Sequence, residues 1–496
     1  MRTPNEPTLD ALGECKGQFG RAAARRTKAL LERLLPAKLR EPADLVRLHE
    51  TALFLRAFPH SAGVARLADE ILFSFSQRMR GVDPVPFDDP SVSGIAGTAV
   101  STNFSYEFAR SLAARHGRSI AIDWENFPRP DRLGSVLGRL IPLAYEDYAV
   151  EPHVDWRAWL EKKARGRAKS GVSRLIHRVD AATYDLLEIP LRWDLAGSPA
   201  SRSALRFPGG KIFYHSGRFL KRSDVSIDAE LAAPSIPIRR LPARQAHRVL
   251  GIAVDASAAR YRELYGFQHP DQDHVYHADL GRGVDLYFFG VLRERRLPLR
   301  AYHSGMYFKN GVPMGYVETL SLFERCEVGF NLYYTFREGE TAWLYARILK
   351  LLHQQLGVTC FSIDPYQLGH ENEEAIASGA FWFYYKLGFR PAAQEVARLA
   401  EREQAKAAAH PGYRTPAAML RRLAAAPLFY GGSGPDWDGF SLHRLGSTVP
   451  DLGEDVARAK RAAEETRYLR LLQRRPDLRR RLLRKAGRRP APLAGS

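Results

Sequence analysis

At 496 residues the chain is too long for one ordinary core, and its 45% hydrophobic and 26% charged residues are globular proportions. A formal net charge of +19 fits an anionic partner, whether nucleic acid, a membrane surface or a phosphorylated cofactor, and fits equally a generally arginine-rich composition. The richest apolar run, Phe381–Tyr385, is too short to span a bilayer, and the start MRTPNEPTLDALGE lacks the apolar core of a signal peptide. Cys15, Cys326 and Cys360 lie far apart and form no CxxC pair. A cytoplasmic protein with no membrane span, no disulfide framework and no metal is therefore expected.

Residues 1–163 read as a mainly helical region. Gly20–Leu35 predicts a basic helix ending at Pro36, with a solvated outer face. Asp44 caps a helix carrying Leu45, Leu48, Ala52 and Leu55 on one side. The stripe Val64, Leu67, Ala68, Ile71, Leu72, Phe75 predicts a second, paired with the first as a hairpin across Pro59 and Gly63. Residues 81–100 read as loop, Asn103–His116 as helix, and Ser119–Asp123 as a short strand. Asp123 and Glu125 are read as a polar turn after that strand, because no third group supports acid–base work. Arg132–Tyr148 and Trp156–Lys163 read as helices.

Residues 164–240 read as a connecting region with short strands, at Leu191–Trp193 and Lys211–Tyr214. Residues 241–400 follow as a mixed unit. It opens with a helix, Ala243–Tyr265, closed by Gly266. Val284–Leu292, Leu299–Tyr307, Val312–Leu322 and Arg325–Thr335 then alternate as strands of an antiparallel meander, with the tight turn Asn310-Gly311 between two of them. Residues 401–496 read as a helical, basic C-terminal extension. It has a helix at Pro416–Ala425, a Gly-rich loop at Pro427–Gly453, a charged helix at Asp455–Leu472 and a mobile basic tail.

The chemistry-bearing stretch is Val312–Phe389. The strand ending in Gly329–Thr335 meets the turn FREGETAW (Phe336–Trp343). A helix follows, with Leu344, Ile348, Leu351, Leu352 and Leu356 on one face and Gly357 at its end. A helix N-terminus presents unpaired N–H groups and partial positive charge. Gly339, Thr341 and Ala342 are small, and Arg337 adds a cation, so the junction reads as a diphosphate cradle. After the strand Val358–Ile363 comes a helix through NEEAIASGAFWFYYKLGF (Asn372–Phe389), with Glu373 and Glu374 in its first turn and Gly388 as its cap. Five consecutive aromatics enclose that helix, and a buried tyrosine hydroxyl among them needs a partner and can donate a proton.

The R-x-G-x-x-A turn, the strand after it, Asn372 and FYYKLGF (Phe383–Phe389) together resemble the GNAT acyltransferases, over roughly residues 240–395; the hairpin NGVPMGYVE (Asn310–Glu318) resembles that family's central strands. The resemblance implies an α+β fold, a GNAT-like mixed, mostly antiparallel sheet flanked by helices. It implies an acyl-CoA-dependent N-acyltransferase that moves an acetyl or other acyl group from acetyl-CoA or another acyl-CoA to a small-molecule or peptide amine acceptor. By that resemblance Leu332 and Tyr333 lie on the strand that pairs with the pantetheine arm. Arg337, Gly339, Thr341 and Ala342 hold the diphosphate, Asn372 sits near the arm, and Tyr384 protonates the departing thiolate. Glu318 and Glu327, on facing strands, are the candidate bases; His303 and Tyr307 are candidates for lining the acceptor pocket. Two alternatives stand beside it. Glu338 and Glu340 bring negative charge into the turn, which favours a GNAT-like module that binds a ligand or partner without catalysis. The Arg-rich tail offers phosphate contacts for a nucleic acid.

Overall fold

Nine strands, lying between residues 238 and 430, form the sheet on which the molecule is built. The computed structural model describes residues 4–139, 155–161, 170–207, 210–443, 445 and 467–485. Expectations for 140–148, 162–169, 455–466 and the last residues of the tail lie outside that set.

Four helices come first: α1 (Glu6–Cys15), α2 (Arg21–Leu34), α3 (Pro42–Ala57) and α4 (Ala62–Phe73). The last two form the expected hairpin, and Ser61 caps α4 by accepting from the Val64 N–H at 3.4 Å. A small three-stranded sheet follows, in the order β1 (Ala99–Thr102), β3 (Leu191–Asp194), β2 (Ile120–Ile122). Asp123 is a turn residue, as read. It accepts from Ser101 and from the Asn126 side-chain amide at 2.9 Å.

The large sheet begins at β4 (Ile238–Arg240), inside the stretch read as connecting. Next come α5 (Ala243–Ala258), α6 (Tyr265–Gln268), β5 (Pro270–Gly281), β6 (Val284–Val291), β7 (Ala301–Lys309), β8 (Val312–Leu322) and β9 (Arg325–Leu332). All neighbours from β4 to β9 pair antiparallel. The single helix expected over Ala243–Tyr265 stops at Ala258, and Tyr261 takes a left-handed φ of 56°. That kink turns Arg260 and Arg262 inward.

From β9 the chain crosses through α7 (Thr341–Leu356) to β10 (Cys360–Ile363). The helix buries Leu344, Ile348, Leu351 and Leu352, and Gly357 ends it in the left-handed conformation at φ 67°. β10 pairs parallel with β9, but only at Cys360–Ser362 against Arg325–Glu327. β9 then runs on to Leu332 while β10 stops at Ile363. The two strands part, and α8 (Pro365–Leu368), α9 (Glu373–Ser378) and α10 (Ala380–Lys386) occupy the far side of the gap. The aromatic helix expected as one piece is two, broken at Gly379 with φ 66°. β12 (Leu428–Tyr430), within the stretch read as loop, pairs antiparallel with β10, and β11 (Arg390–Pro391) closes the edge. The architecture is thus mixed α+β around a large, mostly antiparallel sheet.

The described part of the C-terminal segment is packed rather than mobile. Trp437, Phe440, Leu442, Tyr468, Leu471, Leu472 and Leu478 form a second apolar cluster with Leu320, Leu322 and Cys360 of the sheet. Arg475 locks it by ion pairs to Glu324 at 3.0 Å and Asp436 at 2.9 Å. All three cysteines are buried and free.

Candidate functional site

The gap between β9 and the helices α8–α10 encloses a cavity of about 490 Å³. Glu318, Leu332, Arg337, Thr341, Asn372 and Tyr384 line it, together with Arg262, Tyr316, Gln367 and Glu374. Six of the residues singled out from sequence therefore meet on one cavity. Tyr333 lines a second cavity of about 240 Å³ at the end of β9, which shares Arg262, Asn331, Leu332, Arg337 and Glu374 with the first.

Tyr384 is 4% exposed and lines the cavity. Burial pushes its pKa well up, so it stays protonated. Glu318, opposite on β8, accepts a hydrogen bond from the Tyr302 hydroxyl. Burial raises the pKa of Glu318, while the Tyr302 bond and the nearby His443 pull it partly back. A carboxylate of raised basicity and a phenol thus share one wall-to-wall space. Asn372 contributes shape rather than free polar atoms. Its oxygen accepts from the Ala375 N–H at 3.2 Å as the cap of α9, and its amide donates to Tyr366 O at 3.0 Å.

The backbone of β9 is the third component. Past Glu327 its edge has lost a strand neighbour, and the Phe330 N–H donates at 3.4 Å to the Gln367 side chain instead. Gly329 makes room for that side chain, because a Cβ there would lie 2.7 Å from Gln367 Nε2.

The turn expected to cradle a diphosphate is filled by the protein itself. A Cβ on Gly339 would lie 2.8 Å from Phe58 Cζ. Glu340, 5% exposed, pairs with Arg282 at 2.8 Å and accepts from the Leu220 N–H at 2.9 Å. Glu338 pairs with Lys16 at 2.9 Å. Ala342 is buried, and neither it nor Gly339 reaches either cavity. The two glutamates meet this chain's own cations, while Arg337 and Thr341 of the same turn line the first cavity.

Glu327 is also displaced from the role expected for it. It lies on the same face of the sheet as Glu318, two residues further from the cavity by register. Its carboxylate takes His443 and, at 3.5 Å, Arg325. Arg325 is itself buried, donating to Ser362 at 3.0 Å and to Phe440 O at 2.7 Å. Glu327, Asp364 and His443 bring one potential metal-ligand atom each within 4.8 Å of one another. The bond to Glu327 raises the pKa of His443, and Arg325 shares the same carboxylate at 3.5 Å.

His303 and Tyr307 do not line the cavity. His303 stacks on Phe288 with centroids 5.1 Å apart, and burial pushes its pKa down to about 4. Tyr307 is fully buried and donates to Asn331 O, stitching β7 to β9 beneath Gly315. Arg260, Arg262, Tyr302, Gln367 and His443 escaped the sequence reading. Arg260 and Arg262 follow a helix break, Gln367 sits in the short α8, His443 lies outside any helix or strand, and Tyr302 lies on a predicted strand but belongs to no motif.

No protein-family model, curated protein or solved structure matches this chain. No described helix is long and apolar enough to cross a membrane.

Proposed function

We propose that the protein is a GNAT-like N-acyltransferase that transfers an acyl group from a coenzyme A-type thioester to an amine in the 490 Å³ cavity. The observation that carries this reading is that Tyr384 and Glu318 line one cavity, at a gap where a parallel strand pair parts. The acyl-pantetheine arm lies along the free edge of β9 and displaces the Gln367 side chain from the Phe330 N–H. Glu318 takes the amine proton as nitrogen attacks the thioester carbonyl. The C–N bond forms, the C–S bond breaks, and Tyr384 donates its proton to the leaving sulfur, to be reprotonated through Glu318 and solvent. The filled turn at 338–342 adds a restriction: the donor's diphosphate stays outside, beyond Arg337. Acetyl-pantetheine and acetyl-CoA should therefore bind within about tenfold of each other by calorimetry, because the turn adds none of the usual charge-assisted bonds. Binding of acetyl-CoA more than a hundredfold tighter would contradict this donor mode.

A second reading is favoured by the same filled turn. It is a GNAT-like module that holds a ligand in the cavity without transferring it. Absence of any thioester binding at millimolar concentration would select it.

A further inference from the structure

The second cavity, at the end of β9, holds a cation that no carboxylate among the described residues pairs with. Arg260 is 6% exposed and lines that space of about 240 Å³. Its guanidinium stacks 3.8 Å from the centroid of the Tyr333 ring and donates to Ala256 O at 2.7 Å. A guanidinium carries five N–H donors in a planar fork. No carboxylate among the described residues forms an ion pair with this one, and the residue lines the cavity. Its neighbours are already engaged. Arg262 and Arg337 both donate to Glu374, at 3.3 and 2.6 Å. Arg202, behind the wall, pairs with Glu50 at 2.7 Å. The one other acid on the rim, Asp89, is tied to the Ser91 backbone and hydroxyl. Three guanidiniums thus face two carboxylates, and the surplus charge sits on the most deeply buried of them. Burying an uncompensated cation is costly, and burial beside Arg202 pushes the pKa of Arg260 down to about 9. A planar fork with donors beyond the one given to Ala256 O, in a cavity with room for a small anion, can receive a carboxylate or phosphate oxygen pair.

We infer that Arg260, supported by Arg262, binds a single anionic group, a carboxylate or a phosphate monoester, carried by the amine acceptor whose nitrogen is presented to Glu318 in the adjoining cavity. The two cavities share Asn331, Leu332 and Arg337 as walls, so one small molecule can occupy both. With the donor arm placed along β9, this site is left to the acceptor. The assignment to an acceptor rests on the acyltransferase reading; the anion site itself does not.

The test is binding of the bare anions to the full chain at low ionic strength. Inorganic phosphate is followed by phosphorus NMR line broadening, and acetate by proton saturation transfer. Wild type, Arg260→Gln, Arg262→Gln and Arg248→Gln are compared. Arg248 lies over the Phe207 ring, outside both cavities. Saturable binding of at least one anion is expected in wild type and in Arg248→Gln, with affinity at least tenfold lower in both other variants. Saturation by phosphate alone assigns a phosphorylated acceptor, and by acetate alone a carboxylated one. Because Arg260 is buried and its variant can unfold, Arg262→Gln, at a side chain 41% exposed, decides the matter if Arg260→Gln does not fold. No saturable binding in wild type, or equal affinity in wild type and Arg262→Gln, overturns the site. Anion binding without any acyl transfer keeps the site and removes the transferase reading; transfer without anion binding does the reverse.

Discussion

At the scale of single residues the account turns on proton affinity. Burial raises the pKa of Glu318, and the Tyr302 hydrogen bond lowers it in part. A base acts only when ionised, so transfer should fall as pH drops through that raised value. Tyr302→Phe removes the stabilising bond, raises the pKa further and moves the acidic limb of kcat/KM up by about 1–2 pH units, on the basis of roughly 1.5–3 kcal/mol for a hydrogen bond to a charged group. An unmoved limb would mean that Glu318 is not the base. A second residue-scale prediction concerns Gly339. Its Cβ would meet the buried Phe58 ring, so Gly339→Ala should cost about 1–3 kcal/mol of stability, read from the denaturant midpoint. Thioester affinity should hardly change; a loss of affinity with stability intact would put the ligand back in the turn.

At the scale of elements, legibility followed periodicity. The meander from β6 to β9, the helix Thr341–Leu356 and its Gly357 terminus were readable because alternation, an apolar stripe and a left-handed glycine are local signals. Tyr384, Asn372 and Leu332 were named through the GNAT resemblance and Glu318 as a strand carboxylate, and the fold brings all four to one cavity. The helix break after Ala258 was not legible. It is made by Tyr261, a residue with no intrinsic preference for positive φ, which the surrounding packing holds there. Arg260 and Arg262 depend on that break and were missed with it. Glu327 misled because a strand carboxylate two positions from a site looks the same in sequence as one inside it. Its partners, Arg325 on its own strand and His443 from a distant loop, become neighbours only on folding. Glu327→Ala should consequently cost about 3 kcal/mol in stability by exposing Arg325 as a buried unpaired charge, with turnover per folded molecule retained. Lost turnover at full stability would return Glu327 to the chemistry.

At the scale of the whole molecule, the N-terminal helices act as part of the site rather than as an appendage. Phe58 and Lys16 fill and neutralise the turn at 338–342. Glu50 of α3 accepts from Thr335, just past β9, and from Arg202 and His49. Burial alone would raise the pKa of Glu50, but Arg202 and the hydrogen bonds outweigh it and hold it down to about 2. A carboxyl whose folded pKa lies below its unfolded one binds fewer protons when folded. The stability it supplies is therefore complete above about pH 4.5 and is lost as pH falls toward 2. Glu50→Gln should flatten that part of the acid-unfolding curve, by on the order of 3 kcal/mol. An unchanged acid midpoint would show that this network does not join α3 to the sheet energetically. The basic C-terminal helix belongs to the same scale. Leu478 packs with the sheet residues Leu320 and Leu322, and Arg481 lies 3.9 Å from Glu324.

The most direct test of the central claim is single-turnover thiol release from acetyl-pantetheine in the presence of ethylamine, glycine and O-phosphoethanolamine, comparing wild type with Tyr384→Phe. The account predicts amine-dependent thiol release in wild type, and a rate about 10²–10⁴-fold lower in the variant with thioester affinity unchanged, the range expected for loss of one proton donor. Release at the same rate in both proteins, or no amine-dependent release in wild type, would contradict it.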